Sequence, residues 1–309
     1  MCSCVLHTPF YLTFRSKSHT VYIVRGPSTK VRKTQINILP SSFLQSKKAL
    51  TMPMTYLILF SSLMMIISVT YSLAITQINA GGSLLKASLA KENMQALDDA
   101  IHSVSWKFKA SKVIYMDDCG GSFQTHTTGK NLLINFTDDQ SFHDVVFNTQ
   151  VGRVCYELES SQPDNNGLFV RGDAGSITNQ SWSTMTQLYY AQGDSSQELV
   201  LSYRPSANSA VITTDQAKPQ NLIRVYIINL NCSQSLTLNQ KFYLKVTSPE
   251  VTLTLNQYEF NQSISSLGLR STYDDASSTV WIPISSIAEG AFVDVEIIVC
   301  SIRIQRLEI

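Results

Sequence analysis

The sequence predicts an α+β protein: an N-terminal transmembrane helix continues into an amphipathic helix, and an antiparallel, β-sandwich-like extracellular domain follows. Three observations lead to this fold class. No charged residue or histidine occurs between Ala49 and Leu85. Residues 84–109 then repeat apolar side chains at helical spacing. Beyond residue 113, short segments rich in Val, Ile, Tyr, Phe and Thr alternate with turn-forming residues, which is typical of strands.

The first segment, residues 1–48, is interpreted as a basic leader or a disordered cytoplasmic tail. It contains eight Lys or Arg residues, no acidic residue and no clear periodicity. An alternative is that translation starts at Met52 or Met54 and that the start is misassigned. The remaining chain is predicted to divide into a transmembrane helix over 49–83, an amphipathic helix over 84–112 and a β-rich extracellular domain over 113–309.

The centre of the uncharged stretch, Met54–Ile78, is 25 residues long. As a helix it reaches roughly 37 Å, which exceeds the hydrocarbon thickness of about 30 Å. A buried core helix normally shows a polar stripe, and the apolar region of a cleaved signal peptide is normally shorter, at about 7–15 residues. We therefore favour a single membrane span over these two alternatives.

The charge distribution predicts the orientation of this span. Residues 1–91 carry ten Lys or Arg and no acid, whereas residues 92–309 carry fourteen Lys or Arg against twenty-three Asp or Glu. Because basic residues flanking a span stay on the cytoplasmic side, the N-terminus is predicted inside and the C-terminal domain outside the cell membrane. An acidic outer portion lacks the basic face of a nucleic-acid binder, so no nucleic-acid partner is expected.

Residues 84–109 predict an amphipathic helix that continues the span, with Gly81-Gly82 as a possible bend. The apolar face consists of Leu85, Leu89, Leu97, Ile101, Val104 and Phe108. The opposite, solvated face is predicted to carry Lys91, Glu92, Asp98 and Asp99. The apolar stripe is expected to pack on the domain that follows.

The β-rich region shows the period of strands with one wet face. In Phe242–Thr247 and Glu250–Leu255, polar residues recur at every second position. Turn-forming clusters such as Pro163–Gly167 separate the strand-like segments. About 200 residues of this kind predict an antiparallel sandwich built as one continuous unit.

The residues that precede the span, Lys48-Ala49-Leu50-Thr51, together with Pro53, resemble the processing site of archaeal type IV pilin-like surface proteins with class III signal sequences. The resemblance covers residues 48–109. It implies cleavage between Ala49 and Leu50 and a hydrophobic helix that either packs with other pilin-like subunits in a filament or holds one subunit in the membrane. An unprocessed signal anchor is the alternative. Small or weakly polar residues in the span favour close helix packing: Ser61, Ser62, Ser68, Thr70, Ser72, Ala74 and Thr76.

Two further patterns fit an exported domain. Four sequons make Asn135, Asn179, Asn231 and Asn261 glycosylation candidates. Four cysteines follow the span and are disulfide candidates: Cys119, Cys155, Cys232 and Cys300. Four cysteines allow two disulfides in three pairings, and buried free thiols are the alternative.

No catalytic motif is present in the sequence, so no enzymatic activity and no cofactor are predicted. Asp117, Asp118, His126 and His143 match no metal-ligand spacing. Arg171-Gly172-Asp173 is an adhesion-type tripeptide that is too short to carry a function. We therefore predict a single-pass, pilin-like surface protein with a structural, assembly or adhesion role, whose partners are the lipid bilayer and other subunits. The alternative is a monomeric, membrane-anchored module that binds carbohydrate or protein ligands.

Overall fold

The computed structural model describes residues 51–138, 142–158, 165–180, 184–193, 196–213, 218–274 and 276–308. The predicted leader and the predicted processing residues Lys48, Ala49 and Leu50 lie outside this part of the chain. Within it, one long helix near the N-terminus precedes a strand-rich domain, which confirms the α+β class.

The helix α1 spans Thr51–Val104. Thirteen strands follow among the described residues and form the β domain. Their bounds are β1 Ser111–Met116, β2 Ser122–Thr137, β3 His143–Glu157, β4 Phe169–Arg171, β5 Thr186–Gln192, β6 Gln197–Tyr203, β7 Ser206–Thr213, β8 Gln220–Asn229, β9 Thr237–Leu238, β10 Phe242–Phe260, β11 Ser266–Tyr273, β12 Ala276–Pro283 and β13 Ala291–Leu307.

The strands form two sheets. Sheet A has the order β1-β10-β13-β8-β7, and sheet B has the order β12-β11-β2-β3-β6-β5-β4 with β9 paired to β2. The prediction of an antiparallel domain needs one correction, because β8 and β13 are parallel, with Gln220 opposite Phe292 and Asn229 opposite Ser301. A parallel pair requires a long crossover. The chain supplies it by visiting sheet B between these two strands, in β9, β11 and β12.

The helix runs through Gly81 and Gly82 without interruption. It ends at Val104, earlier than the predicted limit at residue 112. The cause is local backbone geometry, since Trp106 and Lys109 both have left-handed φ angles, of 65° and 62°. The chain then turns directly into β1.

Two apolar cores hold the β domain together, and both sheets contribute to each. The first core also contains one face of α1, formed by Ala90, Met94, Leu97, Ala100, Ile101 and Val104. These residues recur every three or four positions, as expected for a helix face buried against a sheet. The second core lies between the sheets alone and includes Ile134, Leu269, Ile223 and Val295.

The predicted faces of the amphipathic helix were partly wrong. Leu85 and Phe108 are exposed, at 63% and 64% of their surface. Leu85 precedes the first buried residue, and Phe108 lies beyond the end of the helix. Asp98, which the sequence placed on the solvated face, is only 1% exposed, because polar groups of sheet B surround its carboxylate.

Candidate functional site: an exposed apolar helix and its attachment to the β domain

The N-terminal part of α1 presents an apolar surface that no other described residue covers. Every residue from 53 to 82 is exposed, and none carries a charge; we call this stretch the apolar segment. It includes Leu57, Ile58, Leu59 and Phe60, each more than 60% exposed. Exposed apolar patches larger than a few hundred Å² mark interaction or membrane surfaces. Among the described residues, α1 is the one helix long and apolar enough to cross a membrane.

Hydroxyl groups within the apolar segment bond to the helix itself. Ser61 Oγ donates to the Ile58 carbonyl at 2.9 Å, and Thr70 Oγ1 donates to the Ile66 carbonyl at 2.8 Å. Ser62 and Thr76 make equivalent bonds. A hydroxyl satisfied in this way costs less to place in hydrocarbon, where no water is available.

The other end of α1 is attached to the β domain through a buried carboxylate. Asp98 Oδ1 accepts hydrogen bonds from Thr186 Oγ1 at 2.8 Å and from Tyr203 Oη at 2.7 Å. Its Oδ2 accepts from Arg171 Nη1 at 2.5 Å. Both carboxylate oxygens are therefore bonded, as a buried charge requires. The three partners come from β5, β6 and β4, so one helix residue joins three strands of sheet B.

His102 and Asp99 extend this attachment. His102 Nε2 lies 2.7 Å from Thr186 Oγ1, and since the single hydroxyl proton goes to Asp98, the histidine is the donor. The His102 ring also meets Tyr203 edge to face, with 5.7 Å between centroids. Arg171 Nη1 bonds Asp99 Oδ1 at 2.7 Å in addition to Asp98. The Thr186 hydroxyl is thus committed to structure rather than available as a nucleophile.

Electrostatics follow from this geometry. Burial, together with the neighbouring Asp98 carboxylate, raises the pKa of Tyr203 well above its usual value, so the phenol stays a donor. The hydrogen bond to Asp99 raises the pKa of the Arg171 guanidinium further, with Asp98 adding to the effect. The Tyr203 phenol therefore stays protonated and the Arg171 guanidinium stays charged over the whole physiological pH range.

Arg171 of the tripeptide Arg171-Gly172-Asp173 belongs to this attachment, whereas Asp173 bonds to Arg204 beyond the end of β6. Arg171 binds the two helix carboxylates, and Asp173 Oδ2 accepts from Arg204 Nη2 at 2.9 Å. The hydrogen bond from Arg204 lowers the pKa of Asp173. Gly172 has a φ of 77°, and a Cβ there would lie 2.1 Å from the Thr186 carbonyl oxygen. The charged side chains of this tripeptide are therefore engaged within the protein.

The structure places three of the four glycosylation candidates on the surface. Asn179, Asn231 and Asn261 are exposed outside the strands. Asn135 instead lies within β2, between β3 and β11, and its Oδ1 is buried without a hydrogen-bond partner among the described residues. Ser181, the third residue of the Asn179 sequon, lies outside the described residues.

The four cysteines behind the span form no disulfide in the described structure. Cys119, Cys155 and Cys300 are buried, and Cys232 is half-buried in the turn after β8. Asn93 of α1 donates to Cys119 at 3.1 Å, and Cys300 lies 3.4 Å from the Ser248 hydroxyl. Burial raises the pKa of Cys119, and it raises that of Cys155 to about 12.

The four residues with metal-binding side chains named in the sequence analysis do not lie together at one site. His126 pairs with Arg153 across β2 and β3, whereas His143 pairs with Thr137 at the start of β3. Asp117 and Asp118 follow β1. Within the described ranges, no three His, Cys, Asp or Glu side chains form a group that could hold a metal ion.

One feature was not predicted from the sequence: a half-open cavity of about 630 Å³ beside the loop that joins β10 to β11. Its lining combines aromatic rings, among them Phe260 and Trp281, with the polar groups of Asp138, Asn261 and Gln262. Trp281 is 43% exposed and covers Gly268 of the adjacent strand, where a Cβ would lie 3.1 Å from the indole Cζ3. In the sequence, the only indication of this cavity is Trp281, a single tryptophan in a strand-like segment.

No protein-family model, no curated protein and no solved structure matches the chain. In the part of the chain that the structure describes, the fold and the site define a protein with one exposed apolar helix whose C-terminal end packs in the core of a strand-rich domain.

Proposed function

We propose that the chain is a single-pass, pilin-like membrane protein of the cell surface. The apolar segment lies in the bilayer, and the β domain stands on the outer side. The observation that carries this proposal is the uncharged run of exposed helical residues from 53 to 82. Each Leu, Ile, Phe or Val at the centre of a span favours insertion by about 0.3–0.6 kcal/mol. In water, the same side chains have nothing to pack against.

The attachment at Asp98 supports a structural role. The apolar segment belongs to the same helix, α1, as the core residues Met94, Leu97 and Ile101. Asp98 of this helix is hydrogen-bonded to sheet B. The same helix supplies both the proposed membrane segment and part of the core, which suits a protein that assembles into a surface structure without catalysing a reaction.

The charge distribution supports the proposed orientation, and the resemblance to pilin-like processing sites supports the proposed cleavage. The basic residues before the span and the acidic domain after it favour a cytoplasmic N-terminus. Cleavage between Ala49 and Leu50 would remove that basic leader and leave the hydrophobic helix at the new N-terminus. The small residues of the apolar segment then allow neighbouring subunits to pack closely in the membrane or in a filament.

The mature N-terminus of membrane-purified protein tests the anchor and its processing together. We expect the protein in the membrane fraction, with Leu50 as its first residue. Protease added to intact cells should remove the β domain. Recovery of the full-length chain in the aqueous fraction contradicts the membrane proposal, and an intact leader in the membrane fraction contradicts processing alone.

Assembly has its own test. Ser68→Leu enlarges a small residue of the span, and Ile67→Leu on a neighbouring face is the matched control. We expect Ser68→Leu to abolish filaments seen by electron microscopy while membrane insertion continues, and Ile67→Leu to preserve both. Equal filament formation by the two variants would contradict subunit packing through the helix face that contains Ser68.

The cavity at Trp281 favours a second candidate, a monomeric anchored module that binds carbohydrate. Exposed aromatic rings beside amide and carboxylate groups are the chemistry that sugars require. Binding of the purified protein to a glycan array, lost in Trp281→Ala and retained in Phe292→Ala, would support this candidate. Phe292 is a suitable control because it is similarly exposed, at 37%, and does not line the cavity.

A further inference from the structure

Strand β10 has a free edge over its second half. Residues Tyr243–Thr247 and their neighbours pair with β1 on one side and β13 on the other. From Glu250 to Phe260, pairing continues with β13 alone. On the opposite side, no strand among the described residues pairs with this stretch. A row of backbone N–H and C=O groups is thus available to another strand.

The middle of the free edge, residues 251–258, lacks the features that normally protect an edge, although a register irregularity lies just before it, between Thr247 and Glu250. Residues 251–258 carry no charge and no proline; Pro249 lies before them and Glu259 after them. Four consecutive residues, Thr252–Leu255, are exposed on both faces of the sheet. Leu253 and Leu255 are 62% and 51% exposed. Natural proteins usually place lysines, prolines or bulges at such positions to prevent pairing.

We propose that β10 pairs with β10 of a second copy of this chain, antiparallel and centred on Thr254. This register places Leu253 opposite the partner's Leu255 on one face of the sheet. Thr252 and Thr254 of both chains lie on the opposite face. Glu250 faces the partner's Tyr258, so no acidic residue meets another acidic residue. The interaction is symmetric, which gives a closed dimer with a sheet continuous across both subunits.

The other free edge of sheet A is a weaker partner for β10. Strand β7 forms the opposite edge of sheet A and is connected to β10 through β8 and β13. However, its ladder with β8 is irregular between Val211 and Thr213, and its first residues are covered by Thr178. Irregular edges resist further pairing. The ladder of β10 with β13 is regular from Glu250 to Phe260, so this edge is assigned to a second β10 rather than to β7.

Cysteine cross-linking of the full-length protein in detergent tests the register. Thr254→Cys places one thiol next to its own symmetry mate, at the Cβ separation of about 4.5–5.5 Å found in directly opposed pairs. Mild oxidation should give several-fold more covalent dimer than in Val113→Cys, a residue of β1 that is 48% exposed on the same sheet. A mixture of Val251→Cys and Gln257→Cys chains should cross-link to each other more than either does to itself.

A charge variant tests the same contact independently. In Thr254→Cys chains, the added pair Leu253→Lys and Leu255→Lys places lysines opposite lysines and should reduce the cross-link to the Val113→Cys level. Both positions are exposed, so the circular dichroism spectrum should stay unchanged. Equal cross-linking of Thr254→Cys and Val113→Cys overturns the proposal, and so does preferential cross-linking of Thr254→Cys to Val211→Cys in β7. These readouts depend on β10 alone and not on the fate of the leader or the span.

Discussion

Tyr203 donates its phenolic proton to the carboxylate of Asp98 at 2.7 Å, and this bond joins the last strand of the β4–β6 meander to the helix α1. Both groups are buried, at 3% and 1% exposure. The same carboxylate also accepts from Thr186 and Arg171. The stability of the helix attachment should therefore depend on Asp98 far more than on the other carboxylates of the helix.

Substitution Asp98→Asn should destabilise the β domain strongly. The amide oxygen can still accept from Tyr203 and Thr186, but the NH₂ group would face the Arg171 donor. Breaking a fully buried ion pair costs about 3–5 kcal/mol, and because the Arg171 side chain is 34% exposed, the loss here should lie toward the lower end of that range. Asp99→Asn is the matched control, since Asp99 binds the same arginine at a side chain 62% exposed, and exposed pairs contribute about 0–1 kcal/mol. Urea denaturation followed by tryptophan fluorescence measures both. Similar losses in the two variants would contradict the role of Asp98.

Substitutions on the apolar face of the helix should differ in their effect on stability in the same way, according to whether the side chain is buried or exposed. Leu97 is fully buried in the first core, so Leu97→Ala should cost about 2–5 kcal/mol through lost burial and the cavity left behind. Leu85→Ala removes an exposed side chain, and its effect on unfolding of the β domain should lie within about 0.5 kcal/mol. The denaturation midpoints of the two variants check this. A large effect of Leu85→Ala would show that this residue contacts something in the folded protein.

The sequence predicted well those elements that long periodic or uniform patterns determine. The helix, its apolar segment and the strand-rich domain were all correct in kind. It failed at Asp98, because a carboxylate in a helix is normally solvated, and its burial depends on Thr186 and Tyr203, which are distant along the chain. The parallel pairing of β8 with β13 was missed for a related reason. Which strands pair depends on the path of the chain through both sheets, and a local sequence pattern does not determine that path.

A histidine in β2 should make stability depend on pH. Burial lowers the pKa of His126, the nearby Arg153 lowers it further, and Glu198 opposes them. The unfolded chain then takes up a proton at a higher pH than the folded protein. The stabilising contribution is thus fully present above the unfolded value of about 6.5, and it is lost as the pH falls from there through the folded pKa.

His126→Gln removes this titration and keeps a polar side chain. Between pH 7 and pH 5, the unfolding free energy of the wild-type protein should fall more than that of His126→Gln. His143→Gln is the control, because it removes an exposed histidine at the start of β3 and leaves the surroundings of His126 unchanged. A pH dependence unchanged in His126→Gln, or abolished in His143→Gln, would contradict the assignment.

The cysteines behind the span offer a test of their covalent state. In the native protein, a maleimide should label Cys232 and leave Cys119, Cys155 and Cys300 unmodified, since these three are buried. Burial also holds the pKa of Cys155 at about 12, so almost none of its reactive thiolate is present at neutral pH. Denaturation without a reducing agent should then make all four thiols reactive, as mass spectrometry of the labelled peptides would record. Residues that react only after reduction would instead be paired in disulfides, and the free-thiol arrangement would be wrong for them.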